Sequence, residues 1–249
     1  MIVANADDFG LSSSVNKAII ESFQNKYINR TTIMANMPGF DEAVELAKQN
    51  KIMDKVGLHL NFFEGAPLTE LIKQEPLFYD NENECMYSYN FLHKCSKIKW
   101  FFMPAHTRKA LKIEAEAQIK KFLDAGFSSN HFDSHGHSHT FYSVYSSVRK
   151  ILKKYGFKTS RLSLNLYIKG QEPNTLKKIY KFLYNFIITR SFKSTNYFGA
   201  ISNFMYSTNK KKNKSYEIML HPIYKDNKLV NSGYDIQMIT IDEYEEKLS

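Results

Sequence analysis

The chain has 249 residues, a 43% hydrophobic share, 14% aromatics and a formal net charge of +9, a composition that supplies a core and excludes wholesale disorder. It holds no apolar run of about 18 residues that would suggest a membrane span, and the start MIVANADDFG lacks the basic and apolar regions of a signal peptide, so the expectation is a cytoplasmic protein. Two cysteines, Cys85 and Cys95, make no disulfide framework and read as free thiols. In chain order, MIVANADDF opens as a short apolar strand that ends in Asp7 and Asp8 and is broken at Gly10. SSSVNKAIIESFQ predicts a helix capped by Ser12 or Ser13, with Val15, Ala18, Ile19 and Phe23 on one face. RTTIMANM predicts a second strand, stopped by Pro38 and Gly39. FDEAVELAKQN predicts a second helix that buries Phe40, Ala43, Val44 and Ala47, and KVGLHLNF a third strand carrying His59.

Strand, helix, strand, helix, strand is the order of parallel strands joined by helical crossovers. Residues 62–105 are turn-rich and aromatic, and read as an irregular insertion that can cover a site. HTRKALKIEAEAQIKKFLDAG resumes as a strong helix ended by Gly126, and SSNHFDSH as a strand with His131, Asp133 and His135 on one face. A helix over about 142–155, a strand at KTSRLSLN, a helix at NTLKKIYKFLYNFIITR, strands at TNYFGA and SYEIMLHP, and a terminal helix at TIDEYEEKL starting near Thr240 or Asp242 complete the chain. No repeat, linker or boundary divides it, which predicts one α/β domain over residues 1–249, a distorted single-domain (β/α) barrel.

In such folds chemistry gathers at the carboxyl ends of the strands. Asp7, Asp8, His59, His135 and His221 all lie at or near predicted strand ends. A lone DD pair is commonly a surface turn, and a lone histidine in an apolar strand is commonly a core residue bonded to a carbonyl. Together they can converge on one cation, which offsets the cost of burying their charge. HFDSHGHSH, residues 131–139, places four of the chain's eight histidines and Asp133 within nine residues. Its strand portion can offer one histidine to a metal and use the aspartate as an acceptor that orients a ring. His137 and His139 fall past the strand, where either can line a substrate cleft. His221, in EIMLHP, suits a fourth ligand or a general acid, since imidazole titrates near neutrality. Arg161 is placed on the fifth strand, able to pair with Asp7.

NADDFGLS at 5–12, GLHLN at 57–61 with GAPL at 65–68, HFDSHGHSH at 131–139 and HP at 221–222 resemble, in order, the motifs of the YdjC-like carbohydrate deacetylases. The resemblance implies a distorted barrel distantly like the polysaccharide deacetylases. It implies release of acetate from an N-acetylated sugar, with a divalent metal, magnesium or zinc, as cofactor. By motif, Asp8, His59 and His135 are the implied metal ligands, Asp7 the base, His221 the acid, and Arg161 a looser match. A homodimer is a further expectation from relatives. Two imidazoles and a carboxylate by themselves favour zinc, cobalt, iron or manganese over magnesium. Residues 167–214 carry no motif of the family. Phe63, Tyr87, Tyr89, Trp100 and Phe101 can stack on sugars, although packing is the commoner use of each.

Two other functions fit parts of the pattern. A metal phosphoesterase, or another barrel hydrolase, uses the same ligand types. A nucleic-acid-binding protein with a structural metal would use the basic charge, four lysines of which fall in NKKKNK at 209–214. That stretch reads as a solvated loop, no nucleic-acid-binding signature accompanies it, and neither cysteine adjoins the histidines to close a structural zinc site. The expected partner is therefore an N-acetylated sugar rather than nucleic acid.

Overall fold

The computed structural model describes residues 1–87, 103–207, 210–232 and 237–248. Cys95, Tyr89, Trp100 and Phe101 lie outside the described residues. Seven strands form one sheet: β1 (Ile2–Phe9), β2 (Arg30–Ile33), β3 (Val56–Leu60), β6 (His131–Ser134), β7 (Thr159–Ser160), β8 (Tyr197–Ala200) and β9 (Tyr216–Leu220). Their spatial order is β7-β6-β3-β2-β1-β9-β8, and every pairing is parallel. The helices α1 (Ser13–Gln24), α2 (Phe40–Gln49), α3 (Ala105–Asp124), α4 (Tyr142–Lys154), α5 (Thr175–Thr189), α6 (Ile201–Tyr206) and α7 (Ile241–Glu246) connect and cover them. Central strands are buried on both sides, as parallel sheets require: all five residues of β3 and all four of β6 are buried.

The α/β architecture matches the expectation, and the distortion is large. The sheet curls into a half-barrel whose edges, β7 and β8, do not pair in a ladder. A Thr159–Lys193 bridge, bonds from the Asn165 and Leu166 amides to the Phe198 carbonyl, and the Asn165 side chain, which accepts from the Phe198 amide and donates to the Asn196 carbonyl, span that side instead. The reason is local. KTSRLSLN was expected to run as a strand, but only Thr159 and Ser160 do so, and Arg161 lies just beyond the ladder. RTTIMANM likewise ends its ladder at Ile33.

Cap chemistry sets the helix starts. Ser12 Oγ accepts from the Val15 amide, and Thr240 with Glu243 forms a reciprocal capping box on α7. Two hairpins complete the described residues: β4 (Tyr79–Asp80) with β5 (Cys85–Met86), and β10 (Pro222–Lys225) with β11 (Lys228–Asn231). The second was not foreseen, although its turn residues Asp226 and Asn227, at φ 50° and 57°, are the types that tolerate left-handed backbone.

The described part of the expected insertion is built into the protein. Phe62, Phe63 and Phe78 are core residues, so packing and not sugar stacking accounts for Phe63. Buried Gln118 and Glu114 of α3 latch this segment: Gln118 bonds both the amide and the carbonyl of Asn61, and Glu114 accepts from the Leu68 amide and the Thr69 hydroxyl. Gly65 within it has φ 70°, left-handed backbone that favours glycine.

Candidate active site

Adjacent residues of a strand point to opposite faces, so Asp7 and Asp8 reach one pocket only if the strand breaks its alternation. It does. The β1–β2 register shifts between Ala6 and Phe9, and Asp8 adopts φ 68°, a bulge at the carboxyl end of the strand. A left-handed non-glycine residue costs about 1–2 kcal/mol. The contacts of Asp8 offset it: its Oδ1 lies 3.0 Å from His135 Nδ1 and 3.3 Å from His59 Nε2. Burial would raise the Asp8 carboxyl, but its hydrogen bonds with His135 and His59 hold it well below the usual carboxylate range.

His59 stands between two carboxylates. Its Nδ1 is 2.6 Å from Asp133 Oδ1 while Nε2 faces Asp8, and Thr32 Oγ1 donates to the other oxygen of Asp133. Burial opposes charging this ring, yet the charge and hydrogen bond of Asp133, with Asp8 behind them, raise it to about 10. A ring whose two nitrogens both meet carboxylate oxygens needs positive charge on the second one: a proton, or a metal ion in its place. Asp8, His59 and His135 offer one donor atom each, all within 4.8 Å of one another. Asp133 then holds the ring with Nε2 turned inward, as acceptors behind metal-binding histidines do. The donor set fits a divalent ion.

Among the described residues two other groups of the same compactness exist, Asp7–His59–Asp133 and His131–Asp133–Glu217. They suit an ion poorly because a guanidinium already occupies their carboxylates. Arg161, fully buried, reaches Asp7 through both terminal nitrogens at 2.6 Å, Asp133 Oδ2 at 2.7 Å and Glu217 Oε1 at 2.6 Å. Arg30 Nη2 lies 2.9 Å from Glu217. Asn5 donates to Asp7 and accepts from Arg30. Burial would raise Glu217, but Arg30 and Arg161 hold it at about 2. Asp7, Asp8, Asp133 and Glu217 outnumber the guanidinium groups of Arg30 and Arg161, and Glu64 Oε2 lies 3.8 Å from His135 Nε2, so this centre carries an excess of negative charge that a divalent cation offsets.

His221 follows β9. Its Nε2 is 3.9 Å from Asp7 Oδ2 and 3.9 Å from Asp8 Oδ2, and its side chain is 35% exposed, so it borders the centre from the open side. Its backbone is held by Asn231 Oδ1 and the Ser232 amide. All six residues singled out from the sequence, Asp7, Asp8, His59, His135, Arg161 and His221, thus meet in one place.

The histidine-rich segment divides differently from expectation. His131 and Asp133 do cluster, with Glu217, but His135 lies past the strand in a short turn whose Gly136 and His137 are left-handed, and that turn swings its ring to Asp8. His139 does not line a cleft. It is fully buried, with Nδ1 2.6 Å from Ser134 Oγ and Nε2 donating to the Arg161 carbonyl at 3.1 Å. It braces the backbone that carries Arg161, and burial lowers its ring to about 4. His137 packs edge-on against Phe198 at 5.5 Å. Glu217, Asn5, Arg30 and Thr32 were missed, although Glu217 in the apolar run YEIML was a legible signal, since an acid in a buried parallel strand needs a cationic partner.

The fold and site define a class: a parallel α/β half-barrel with a carboxylate–imidazole centre at the strand ends. Residues 1–247 match the family described as YdjC-like protein, and the chain belongs to that family. Proteins named carbohydrate deacetylase from Clostridium beijerinckii and Vibrio parahaemolyticus are each 36% identical over 154 residues, 62% of this chain and 57% and 56% of theirs. One from Listeria monocytogenes is 33% identical over 162 residues, 65% of this chain and 61% of its own length. The matched region thus spans less than two thirds of these relatives. A solved structure described as a cellobiose-phosphate cleavage protein of Enterococcus faecalis V583 shares the fold, with TM-score 0.65, 21% identity, and coverage of 100% of this chain and 90% of that one.

Proposed function

We propose that this protein is a metal-dependent hydrolase that removes an N-acetyl group from an amino sugar or a glycan intermediate. The observation that carries the reading is the meeting of Asp8, His59 and His135 within 4.8 Å, with Asp7 and His221 beside them, in a chain whose relatives are named carbohydrate deacetylases. A divalent ion held by Asp8, His59 and His135 would polarise the amide carbonyl and make a bound water more acidic. Three protein ligands leave positions open for water and substrate.

The chain's own groups perform the rest. Asp7 takes one proton from the attacking water as its oxygen bonds to the amide carbon. Arg161 grips both Asp7 oxygens and fixes their direction, so that no time is lost to rotation of the base. His221 delivers a proton to the sugar nitrogen as the carbon–nitrogen bond breaks, which an amine leaving group requires. The products are acetate and a free amine.

A panel of N-acetylated sugars, including nucleotide-linked and lipid-linked ones, assayed for acetate with and without a chelator, tests the reading. Acetate release that the chelator abolishes and a divalent ion restores is expected. Release undiminished by exhaustive chelation would remove the metal from the proposal, and no release from any sugar with metal present would remove the activity.

A further inference from the structure

One surface of the molecule is unlike the rest. Helix α5 buries only Tyr184 and Ile188. Leu176, Ile179, Phe182, Leu183 and Phe186 recur at helical spacing along its other side, and Leu176 and Phe182 are 79% and 71% exposed. Tyr142 of α4 and Tyr180 add exposed aromatic rings. A soluble surface rarely leaves such a run of large apolar side chains open without use.

Charge says what covers it. Residues 135–216 contain sixteen lysines and arginines, of which Arg161 is buried at the strand-end centre, and a single acid, Glu172, so this stretch is strongly basic and the remainder of the chain net acidic. Helix α5 itself has no acidic residue; Lys177 and Lys178 are exposed, Lys181 donates inward to the Leu164 carbonyl at 3.1 Å, and Arg190 at its end is stacked over Phe186 at 5.5 Å. A second copy of this chain is a poor match. Two such faces would bring lysine against lysine, with no acid on either helix to answer it. Nucleic acid would use the lysines and leave the leucines and phenylalanines in water. An anionic bilayer satisfies both sets at once: apolar side chains enter the acyl boundary while lysines meet lipid phosphates.

We propose that α5 docks this protein on the surface of anionic membranes, lying in the interface. It does not cross. Fifteen residues of helix span about 22 Å, short of the roughly 30 Å hydrocarbon layer, and no helix among the described residues is long and apolar enough to do so. The docking helix is joined to the catalytic rim, since Tyr184 Oη donates to the His139 carbonyl at 2.8 Å and the Asn185 side chain bonds Ser163, two residues past Arg161. The inference stands on α5 and its charge alone and does not depend on the deacetylase reading.

Co-sedimentation of the full chain with vesicles tests it. Binding to phosphatidylcholine vesicles containing about 30% phosphatidylglycerol is expected to exceed binding to phosphatidylcholine alone by at least about 10-fold, and to weaken about 10-fold between 0.1 and 0.5 M salt. Phe182→Asp with Phe186→Asp, both at exposed positions, is expected to abolish it with an unchanged melting temperature, and Lys177→Glu with Lys178→Glu to weaken it. Absence of vesicle binding overturns the proposal, as does equal binding by the double aspartate variant. A concentration-dependent dimer lost in that variant, with no vesicle binding, overturns it in favour of a second copy. RNA binding that survives the variant, again without vesicle binding, overturns it in favour of nucleic acid.

Discussion

The strand-end centre and the outer face of α5 handle charge in opposite ways. At the centre Arg161 meets three carboxylates and His59 meets two, all in low dielectric. On α5 the lysines have no acid on their own helix and sit beside side chains that water should not touch. Buried charge has to be matched inside the fold, because an unmatched ion there costs several kcal/mol. Exposed charge can wait for a partner. The centre is therefore set rigidly before any substrate arrives, while the helix face is addressed to something outside the chain.

The largest effect should come from the group that acts while the rest stay matched. Asp7→Asn keeps the shape and one acceptor for Arg161 but removes the proposed base, and kcat for acetate release is expected to fall about 10²–10⁴-fold with the circular dichroism spectrum retained. Undiminished turnover would sink the assignment of Asp7. Arg161→Met strips the countercharge from Asp7, Asp133 and Glu217 together. A loss of about 3–5 kcal/mol in urea unfolding is expected, whatever happens to activity. A stability change under about 1 kcal/mol would mean these carboxylates are not matched as described.

Asp133→Asn weakens the acceptor behind His59 without replacing a proposed ligand. Metal affinity measured by calorimetry is expected to drop about 10–100-fold, and His59→Ala or His135→Ala to lose the ion outright. Full metal occupancy in both alanine variants would show that the ion binds elsewhere.

Acid should break the centre from behind. Burial lowers His131 to about 3 and His139 to about 4, so both rings are neutral when folded, while in the unfolded chain they take protons near pH 6.5. Their contribution to stability is complete above about pH 6.5 and is lost as pH falls from there toward 4, by up to about 1.4 kcal/mol per pH unit for each ring. Urea midpoints at pH 6, 5.5 and 5 should fall in that order, a window in which His59, raised to about 10, is protonated in both states and adds no slope, and His139→Gln should flatten the trend. The smallest effect on stability belongs to the other region: Phe182→Asp with Phe186→Asp should move the unfolding free energy by no more than about 0.5 kcal/mol, because neither side chain is in the core.

Much of this was legible in one dimension. Alternating strand and helix periods dictate parallel crossovers, and crossovers send the strand ends to one rim, so Asp7, Asp8, His59, His135 and His221 could be grouped before any coordinates. Local backbone chemistry was equally readable at Ser12 and Thr240, where a hydroxyl meets a free amide within one turn. Other assignments depend on partners distant in the chain. Nothing near Asp133 says that it holds His59 rather than His131, nor that His139 turns inward to brace Arg161. Glu217 announces a need for a cation, and only packing shows that Arg30 and Arg161 both answer it. The same holds for α5: the helix was legible in the sequence, and only the fold shows that it buries just Tyr184 and Ile188. Residue types and their periods set which elements form and which rim they share. Which ring faces which carboxylate, and which helix face meets water, depends on long-range contacts, and these exist only once the chain has closed on itself.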